Sequence, residues 1–220
     1  MLIKNVNFPR AQYYATEHEK VSIDLHHTSS GRGSEGDIRW WAETPEHVAT
    51  PYIIERDGTV VQLYDDHYWA HRLGIKNYIF DMHFVPKRRK NNLKQNTWLN
   101  QRSIGIELDS WGGLAFVDGK CLSWTGKPIP FKYVTKYDRP YRGYHYFEKY
   151  TEAQINALYE LIQRLKDRHC LEDIKYWTGM FEMDRQALLG ERNLFNHTSV
   201  RPDKSDCHPQ EELVQMLKSL

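Results

Sequence analysis

The amino-acid sequence predicts an α/β fold: a single domain built on a central mixed β-sheet that is flanked by helices. Strand-like segments fill the first half of the chain, whereas the strongest helical pattern comes after Thr151. No linker-like stretch and no internal repeat divides the 220 residues. We therefore expect one domain over 1–220, with its core at about 20–210.

Three segments have the pattern of β-strands. "KVSIDLHHT" alternates, with Val21, Ile23 and Leu25 on one face, and it ends in two histidines. "TPYIIERDGTVVQLYD" predicts a β-hairpin, because Asp57-Gly58 suits the positive φ of a tight turn. "RSIGIELD" is short and mostly apolar, which is typical of a strand that is buried within a sheet.

Helical patterns follow in the second half. "TEAQINALYELIQRLKDRH" opens with a capping box of Thr151 and Gln154, and its apolar residues then recur at helical spacing. "PQEELVQMLKSL" predicts a last helix with Pro209 in its first turn, and "ETPEHVA" predicts another short helix. The polar stretch 85–96 predicts an exposed loop. The stretch 131–150, with six tyrosines, predicts either a loop that packs its own rings or the lining of a substrate groove.

The composition excludes several classes of function. Thirty Lys and Arg residues against 29 Asp and Glu residues provide no basic surface for nucleic acid or an anionic membrane. No apolar stretch is long enough to span a bilayer, and the first residues lack the apolar segment of a signal peptide. Three widely spaced cysteines suit a reducing compartment rather than a disulfide framework. We expect a cytoplasmic monomer without nucleic-acid or membrane partners.

Eleven histidines raise the question of a metal site. A catalytic zinc site needs three protein ligands and one open position. His26 and His27 end the first predicted strand, where at most one can reach a shared metal because neighbouring side chains point to opposite faces. The segment "NHTSVRPDKSDCHPQ" (196–210) adds His197, Asp206 and Cys207 on a loop stiffened by a proline. The alternative is a solvated charged loop between two helices.

Two further residues suit hydrolytic chemistry. Glu107 lies in the apolar "SIGIELD" segment, and a lone carboxylate is costly to bury without a partner or a task. It could act as a general base, or it could face solvent at the end of the strand, where Asp109 would share its face. Lys204 precedes Asp206 by two residues, so its ammonium could stabilise a negative oxygen beside a metal.

Six segments in one order resemble a known family: "IDLHHTS", "YIIERDGTVVQLYDD", "WAHRLG", "RSIGIELD", "YTEAQINAL" and "NHTSVRPDKSDCHP". They are similar to the zinc-dependent N-acetylmuramoyl-L-alanine amidases of the type 2 family. This family shares a fold with peptidoglycan recognition proteins and includes many phage endolysins. The similarity runs from about Val21 to about Pro209, with insertions around 85–98 and 111–145.

The resemblance implies a Zn²⁺ cofactor that is bound by His26, His197 and Asp206, with Glu107 as general base and Lys204 stabilising the oxyanion. His27 takes the place of a residue that supports the substrate site without binding metal. The third ligand of the family follows its lysine by two positions, which selects Asp206. Relatives have a proline directly after that ligand, so a register set by Pro209 would move the ligand toward Cys207 or His208.

Other positions depart from the family pattern. Trp69 and His71 correspond to a "WH" motif near the substrate groove, displaced by Ala70, and are candidates for substrate contact. Thr50 and Pro51 stand where relatives have a catalytic tyrosine and a histidine. These departures leave the base role to Glu107.

The resemblance implies hydrolysis of the amide between N-acetylmuramic acid and L-alanine, in peptidoglycan or a soluble muropeptide. The enzyme would be a phage endolysin, held in the host cytoplasm before lysis, or a cytoplasmic recycling amidase. One alternative is a peptidoglycan-binding module that has lost a zinc ligand and no longer cleaves. Another is a different zinc hydrolase on the same scaffold. All three candidate ligands are kept in this chain, which favours the enzyme.

Overall fold

A six-stranded mixed sheet lies at the centre of the structure, a computed structural model that describes residues 2–28, 33–86 and 94–220. In chain order the strands are β1 (Ile3–Asn5), β2 (Ser22–Thr28), β3 (Tyr52–Ile54), β4 (Val60–Gln62), β5 (Ser103–Asp109), β6 (Gly113–Val117), β7 (Lys120–Leu122), β8 (Pro128–Ile129), β9 (Val134–Tyr141), β10 (Tyr144–Glu148) and β11 (Leu194–Asn196). The central sheet has the order β1-β4-β3-β5-β2-β11. The predicted α/β class with a central mixed sheet is confirmed.

Helices cover both faces of this sheet. In chain order they are α1 (Ser34–Glu43), α2 (Asn77–Met82), α3 (Gln95–Arg102), α4 (Glu152–His169), α5 (Arg185–Leu189), α6 (His197–Val200) and α7 (Glu211–Lys218), with 3-10 turns at Arg10–Gln12 and Phe131–Tyr133. Helix α4 begins with the predicted capping box, in which the Thr151 hydroxyl accepts from Gln154 N. Its apolar stripe packs with α7 against one face of the sheet. Burial of this apolar area is the main stabilising contribution that the fold offers.

Strands β2 and β5 form the parallel centre of the sheet. Their register pairs His26 with Glu107, and β11 lies parallel on the other side of β2, where Asn196 pairs with Leu25. Ile23, like Leu25, faces the core beneath α4. The alternate residues of β2 are polar and are also buried, because other parts of the chain cover that face as well.

The predicted hairpin is confirmed. Strands β3 and β4 pair antiparallel, and Gly58 adopts φ +86° in the turn between them. The last helix begins later than predicted, at Glu211, so Pro209 lies outside its first turn. Gln210 precedes the helix, and its side-chain amide bonds to both the backbone N–H and the carbonyl of Tyr150.

The short helix predicted for "ETPEHVA" is wrong. Helix α1 ends at Glu43, and a turn and an extended segment follow it. The amide of Ala49 donates to the carbonyl of His71, whose own amide donates to the carbonyl of His47. These strand-like bonds replace the helical ones, and the helix in this region, α1, lies just before the predicted segment.

Of the two possibilities for 131–150, the loop is wrong. Strands β9 and β10 occupy most of this segment and belong to a second, antiparallel sheet of order β8-β7-β6-β10-β9. Ring contacts stabilise it, for example Phe116 and Tyr146, whose ring centroids are 4.9 Å apart. Of the loop predicted at 85–96, residues 87–93 lie outside the described residues, and α3 begins at Gln95. Within the described ranges, no helix is long and apolar enough to cross a membrane.

Candidate metal centre and active-site cavity

The three ligands expected from the sequence lie together at one edge of the central sheet. His26 is near the carboxyl end of β2, and His197 directly follows β11, so the parallel pairing of these strands brings both to the same edge. Their ring centroids are 4.3 Å apart. Asp206 Oδ2 lies 2.7 Å from His197 Nδ1 and 3.7 Å from His26 Nδ1. One potential ligand atom from each residue lies within 4.8 Å of the others.

The second nitrogen of each histidine has a fixed partner. His26 Nε2 is 2.6 Å from Asp24 Oδ2, and His197 Nε2 is 3.1 Å from the Leu73 carbonyl oxygen. Both rings therefore turn Nδ1 toward Asp206. Metal-binding histidines are characteristically oriented by such a second bond to a carboxylate or a backbone carbonyl.

The protonation states also fit a metal ion. Burial lowers the pKa of His26 to about 4, so this imidazole is neutral at pH 7, the form that binds metal. Burial opposes ionisation of Asp206, but the charge and hydrogen bond of His197 hold its pKa well below the usual range. Two imidazoles and one carboxylate form a donor set that suits Zn²⁺ and leaves room for a fourth ligand.

Asp24 is itself held by a buried ion pair. Arg72 donates from Nε and Nη2 to the two oxygens of Asp24, each at 2.8 Å, and from Nη2 to Ser103 Oγ at 2.6 Å. Gly105 gives this arginine its space, because a Cβ at that position of β5 would collide with the Arg72 side chain. The bidentate pair fixes the carboxylate that orients His26.

Asp206 and its neighbour Cys207 point in different directions. Asp206 lines the cavity described below, whereas the Cys207 thiol donates to the backbone carbonyl of His26 at 3.0 Å, within the protein core. Asn196 holds the backbone of Cys207, since its amide group donates to the carbonyl at 2.8 Å and accepts from the N–H. The geometry thus favours Asp206, and the reserve candidate Cys207 is not part of the ligand cluster.

His208 also lies apart from the ligand cluster. Its Nδ1 is 2.8 Å from the Tyr137 hydroxyl, and its Nε2 is 3.1 Å from the Glu148 carbonyl oxygen. Its ring stacks between those of Phe147 and Tyr150, with both centroid distances at 4.6 Å. Asp206 lies in the same loop as His208. His208 therefore anchors this loop to β10 and to the residues just before α4.

Glu107 lies beside the metal ligands, as the register of β5 with β2 requires. Its Oε2 is buried and has no hydrogen-bond partner among the residues that the structure describes. Burial raises its pKa well above the usual value, the carboxylates of Asp206 and Asp37 raise it further, and Lys204 acts in the opposite direction. A buried carboxylate oxygen without a partner is costly, which indicates a binding or catalytic task.

A cavity of about 470 Å³ opens above the cluster. Its walls combine the candidate ligands with residues of β2, α1 and the 203–206 loop. They include His26, His27, Asp37, Trp40, Thr50, Arg72, Glu107, His197, Lys204 and Asp206. Lys204 is partly buried in this wall. Trp40 keeps 55% of its surface exposed, so its ring offers an open apolar face at the cavity.

The three substrate-contact candidates are placed differently. His27 lines the cavity, and its Nδ1 is 3.4 Å from the Tyr150 hydroxyl. Trp69 is buried and stacks on Tyr14 at a centroid distance of 4.1 Å, and His71 meets Trp69 edge to face at 5.3 Å. Neither Trp69 nor His71 is among the residues that line this cavity.

Sequence reasoning did not find Asp24, Arg72, Asp37 and Trp40. Asp24 gave a usable signal, because it precedes His26 by two residues and so shares its face of the strand. Arg72 lies next to the candidate His71 and carried no separate signal. The two α1 residues were missed because no helix was predicted there.

Comparison with known proteins identifies the class to which this fold and site belong. The family model described as N-acetylmuramoyl-L-alanine amidase matches residues 20–208, which is most of the chain. The chain therefore belongs to the N-acetylmuramoyl-L-alanine amidase family. It is accordingly an amidase that acts on peptidoglycan. A comparison with curated protein sequences gives no match.

Several solved structures share the fold over nearly the full chain. "Structure of PlyL" matches with a TM-score of 0.52 and 13% identity, covering 99% of this chain and 98% of that one. "Structure of the catalytic domain of XlyA" gives 0.52 and 12%, with coverage of 100% and 98%. A selenomethionine derivative of AmpD gives 0.50 and 15%, with coverage of 98% and 94%. At this level of identity the likeness concerns the fold.

Proposed function

We propose that this chain is a zinc-dependent amidase that hydrolyses the bond between the lactyl group of N-acetylmuramic acid and the first L-alanine of the stem peptide. The observation that carries the proposal is the unpartnered Oε2 of Glu107 beside the His26–His197–Asp206 cluster. A cavity lies directly above both. The three clustered side chains would hold Zn²⁺, which when bound polarises the scissile carbonyl and lowers the pKa of water to about 7.

Glu107 supplies the proton transfer. Its carboxylate takes the proton from the water that attacks the carbonyl carbon, and it returns that proton to the nitrogen of the leaving L-alanine. Burial suits this task, because a raised pKa brings a carboxylate closer to the working pH of a general base and acid. Its place opposite His26 in the β2–β5 register keeps the base next to the metal ligands.

Lys204 supplies charge stabilisation. Its ammonium shares the cavity wall with Asp206, so it can face the oxygen that becomes negative as water adds to the carbonyl. Removing one such donor typically lowers the rate by about 10²–10³. Trp40 and His27 form other parts of the wall and would contact the sugar or the peptide on either side of the bond.

The substitution Glu107→Gln tests this assignment. We expect the variant to fold and to retain zinc by elemental analysis, yet to lose about 10²–10⁴ in the rate of amide hydrolysis. The readout is the release of free L-alanine amino groups from purified peptidoglycan. Glu172→Gln, at an exposed position, is the matched control with unchanged activity. Wild-type activity in Glu107→Gln would disprove the base role.

The size of the substrate distinguishes the two biological settings, a lytic enzyme and a recycling enzyme. We propose a lytic enzyme of the endolysin kind, acting on polymeric wall. Such an enzyme releases stem peptides from intact sacculi, whereas a recycling amidase cleaves soluble muropeptides and leaves sacculi untouched. Mass spectrometry of the products from the two substrates distinguishes the cases, and cleavage of soluble muropeptides alone would contradict the lytic role.

A further inference from the structure

A second group of metal-ligand side chains lies where the loop after β4 meets the carboxyl end of α4. Asp66 and His67 belong to the loop, and His169 is the last residue of α4. One potential ligand atom from each lies within 4.8 Å of the others. His67 Nδ1 and His169 Nε2 are 3.6 and 3.0 Å from the same Asp66 oxygen, Oδ1. Tetrahedral Zn²⁺ ligands at about 2.0–2.1 Å from the metal lie ~3.4 Å from one another.

The surroundings of Asp66 favour a bound cation. Its side chain is buried, and its other oxygen, Oδ2, accepts from the Tyr52 hydroxyl at 2.6 Å. The carboxyl end of α4 adds a negative potential at the same place, because the last carbonyls of a helix point outward there.

An arginine now occupies part of this position. Arg168 Nε is 3.0 Å from Asp66 Oδ1, and its Nη2 is 3.1 Å from Asp65 Oδ2 and 3.2 Å from His67 Nδ1. Asp65 Oδ1 is also 2.8 Å from His67 Nδ1. The Arg168 side chain is 36% exposed, so the guanidinium can move into solvent without crossing the core. In this group one guanidinium faces two carboxylates, those of Asp65 and Asp66.

We propose that Asp66, His67 and His169 form a second binding site for a Zn²⁺-type transition-metal ion, with Arg168 occupying the position in the absence of the ion. Imidazole with carboxylate suits such metals. The ion would fasten the loop after β4 to the end of α4. Its role is to stabilise the fold, and it takes no part in the hydrolysis proposed above.

Zinc stoichiometry of the full-length protein is the direct test. After removal of metal with a chelator, titration calorimetry with ZnCl₂ is expected to give two ions per wild-type chain and one for His169→Gln. His145→Gln, at an exposed histidine of β10, is the matched control that keeps two. Hydrolysis of peptidoglycan should be unchanged in His169→Gln. One ion in the wild type, or two in His169→Gln, would overturn the proposal.

Two additional variants test the second ligand and the competing arginine separately. His67→Gln removes a ligand whose side chain is 38% exposed, so it is expected to fold even if His169→Gln does not, and it should also bind one ion. Arg168→Gln removes the competing cation. The affinity of the Asp66–His67–His169 site for zinc is therefore expected to be about two- to fivefold higher in this variant than in the wild type. An unchanged or weaker affinity in Arg168→Gln would contradict the displacement of the guanidinium.

Discussion

The two histidine–aspartate clusters of this molecule are nearly the same in local geometry. In the buried cluster, the rings of His26 and His197 lie 4.3 Å apart at 52°. In the other, here called the surface cluster because its His67 side chain is 38% exposed, the rings of His67 and His169 lie 4.7 Å apart at 55°. Their surroundings differ. The buried cluster borders a cavity with the unpartnered oxygen of Glu107, whereas an arginine fills the space beside the other. Ligands alone can hold an ion, but hydrolysis also requires a base and room for the substrate.

The largest difference between the clusters should appear when a ligand of the buried one is removed. Asp206→Ala is expected to abolish hydrolysis and zinc binding at that site, because two histidines alone leave the ion without its carboxylate. Zinc at the surface cluster should persist. Elemental analysis with a peptidoglycan assay measures both effects.

Cys207→Ala is the matched control for Asp206→Ala. The thiol bonds to a backbone carbonyl outside the cavity, so this variant should keep zinc and most of its activity. Tight zinc binding in Asp206→Ala together with its loss in Cys207→Ala would reverse the assignment of the third ligand.

A smaller effect is expected from the residue that orients His26. Asp24→Asn should weaken zinc binding at the buried cluster about 10- to 100-fold, since His26 loses its carboxylate partner. Because it also leaves Arg72 as a buried cation without its partner, the free energy of unfolding should fall by about 3–5 kcal/mol. Competition with a chelator measures the affinity, and denaturant unfolding measures the stability.

Asp65→Asn provides the comparison beside the surface cluster, where Asp65 contacts His67 and Arg168. This carboxylate is 46% exposed, so the expected change in stability is about 0–1 kcal/mol. Equal destabilisation by Asp24→Asn and Asp65→Asn would show that burial of the carboxylate does not determine the size of the loss in stability.

A modest effect on substrate binding is expected at the cavity wall, which lies beside the buried cluster. Trp40→Ala should raise KM for peptidoglycan about 2- to 12-fold with kcat retained, because an aromatic contact contributes about 0.5–1.5 kcal/mol. Trp124→Ala removes a ring that is 70% exposed outside this cavity and is the control. An unchanged KM in Trp40→Ala would remove that residue from the substrate site.

The sequence allowed prediction of features that depend on local pattern. The turn at Gly58 and the capping box at Thr151 follow from conformational preferences of single residues, and both were found. His26 and Glu107 could be named as candidates because each lies in a strand with a clear apolar pattern. The parallel register that places them side by side joins strands that are far apart in the sequence. The apolar pattern of each strand does not reveal which strands pair, so the strand order could not be predicted.

The features that could not be predicted depend on contacts between distant segments. The alternation of β2 suggests a polar face in water, yet Asp24 is fully buried because Arg72, from another part of the chain, pairs with it. The second sheet was missed for a similar reason. Its tyrosines favour strands as single residues, and β9 and β10 pair with each other as a hairpin, but the pairing of β10 with β6, from an earlier part of the chain, is what joins them to the rest of the sheet.

The stacking of His208 between Phe147 and Tyr150 has a consequence for trimming this protein. The second sheet is not one removable module, because its strands β9 and β10 anchor the loop that carries Asp206, through Tyr137 and Glu148. The outer hairpin of β7 and β8 bonds to β6 and not to that loop. A minimal catalytic version of this enzyme should therefore be shortened between 118 and 130, with the strands that follow left in place.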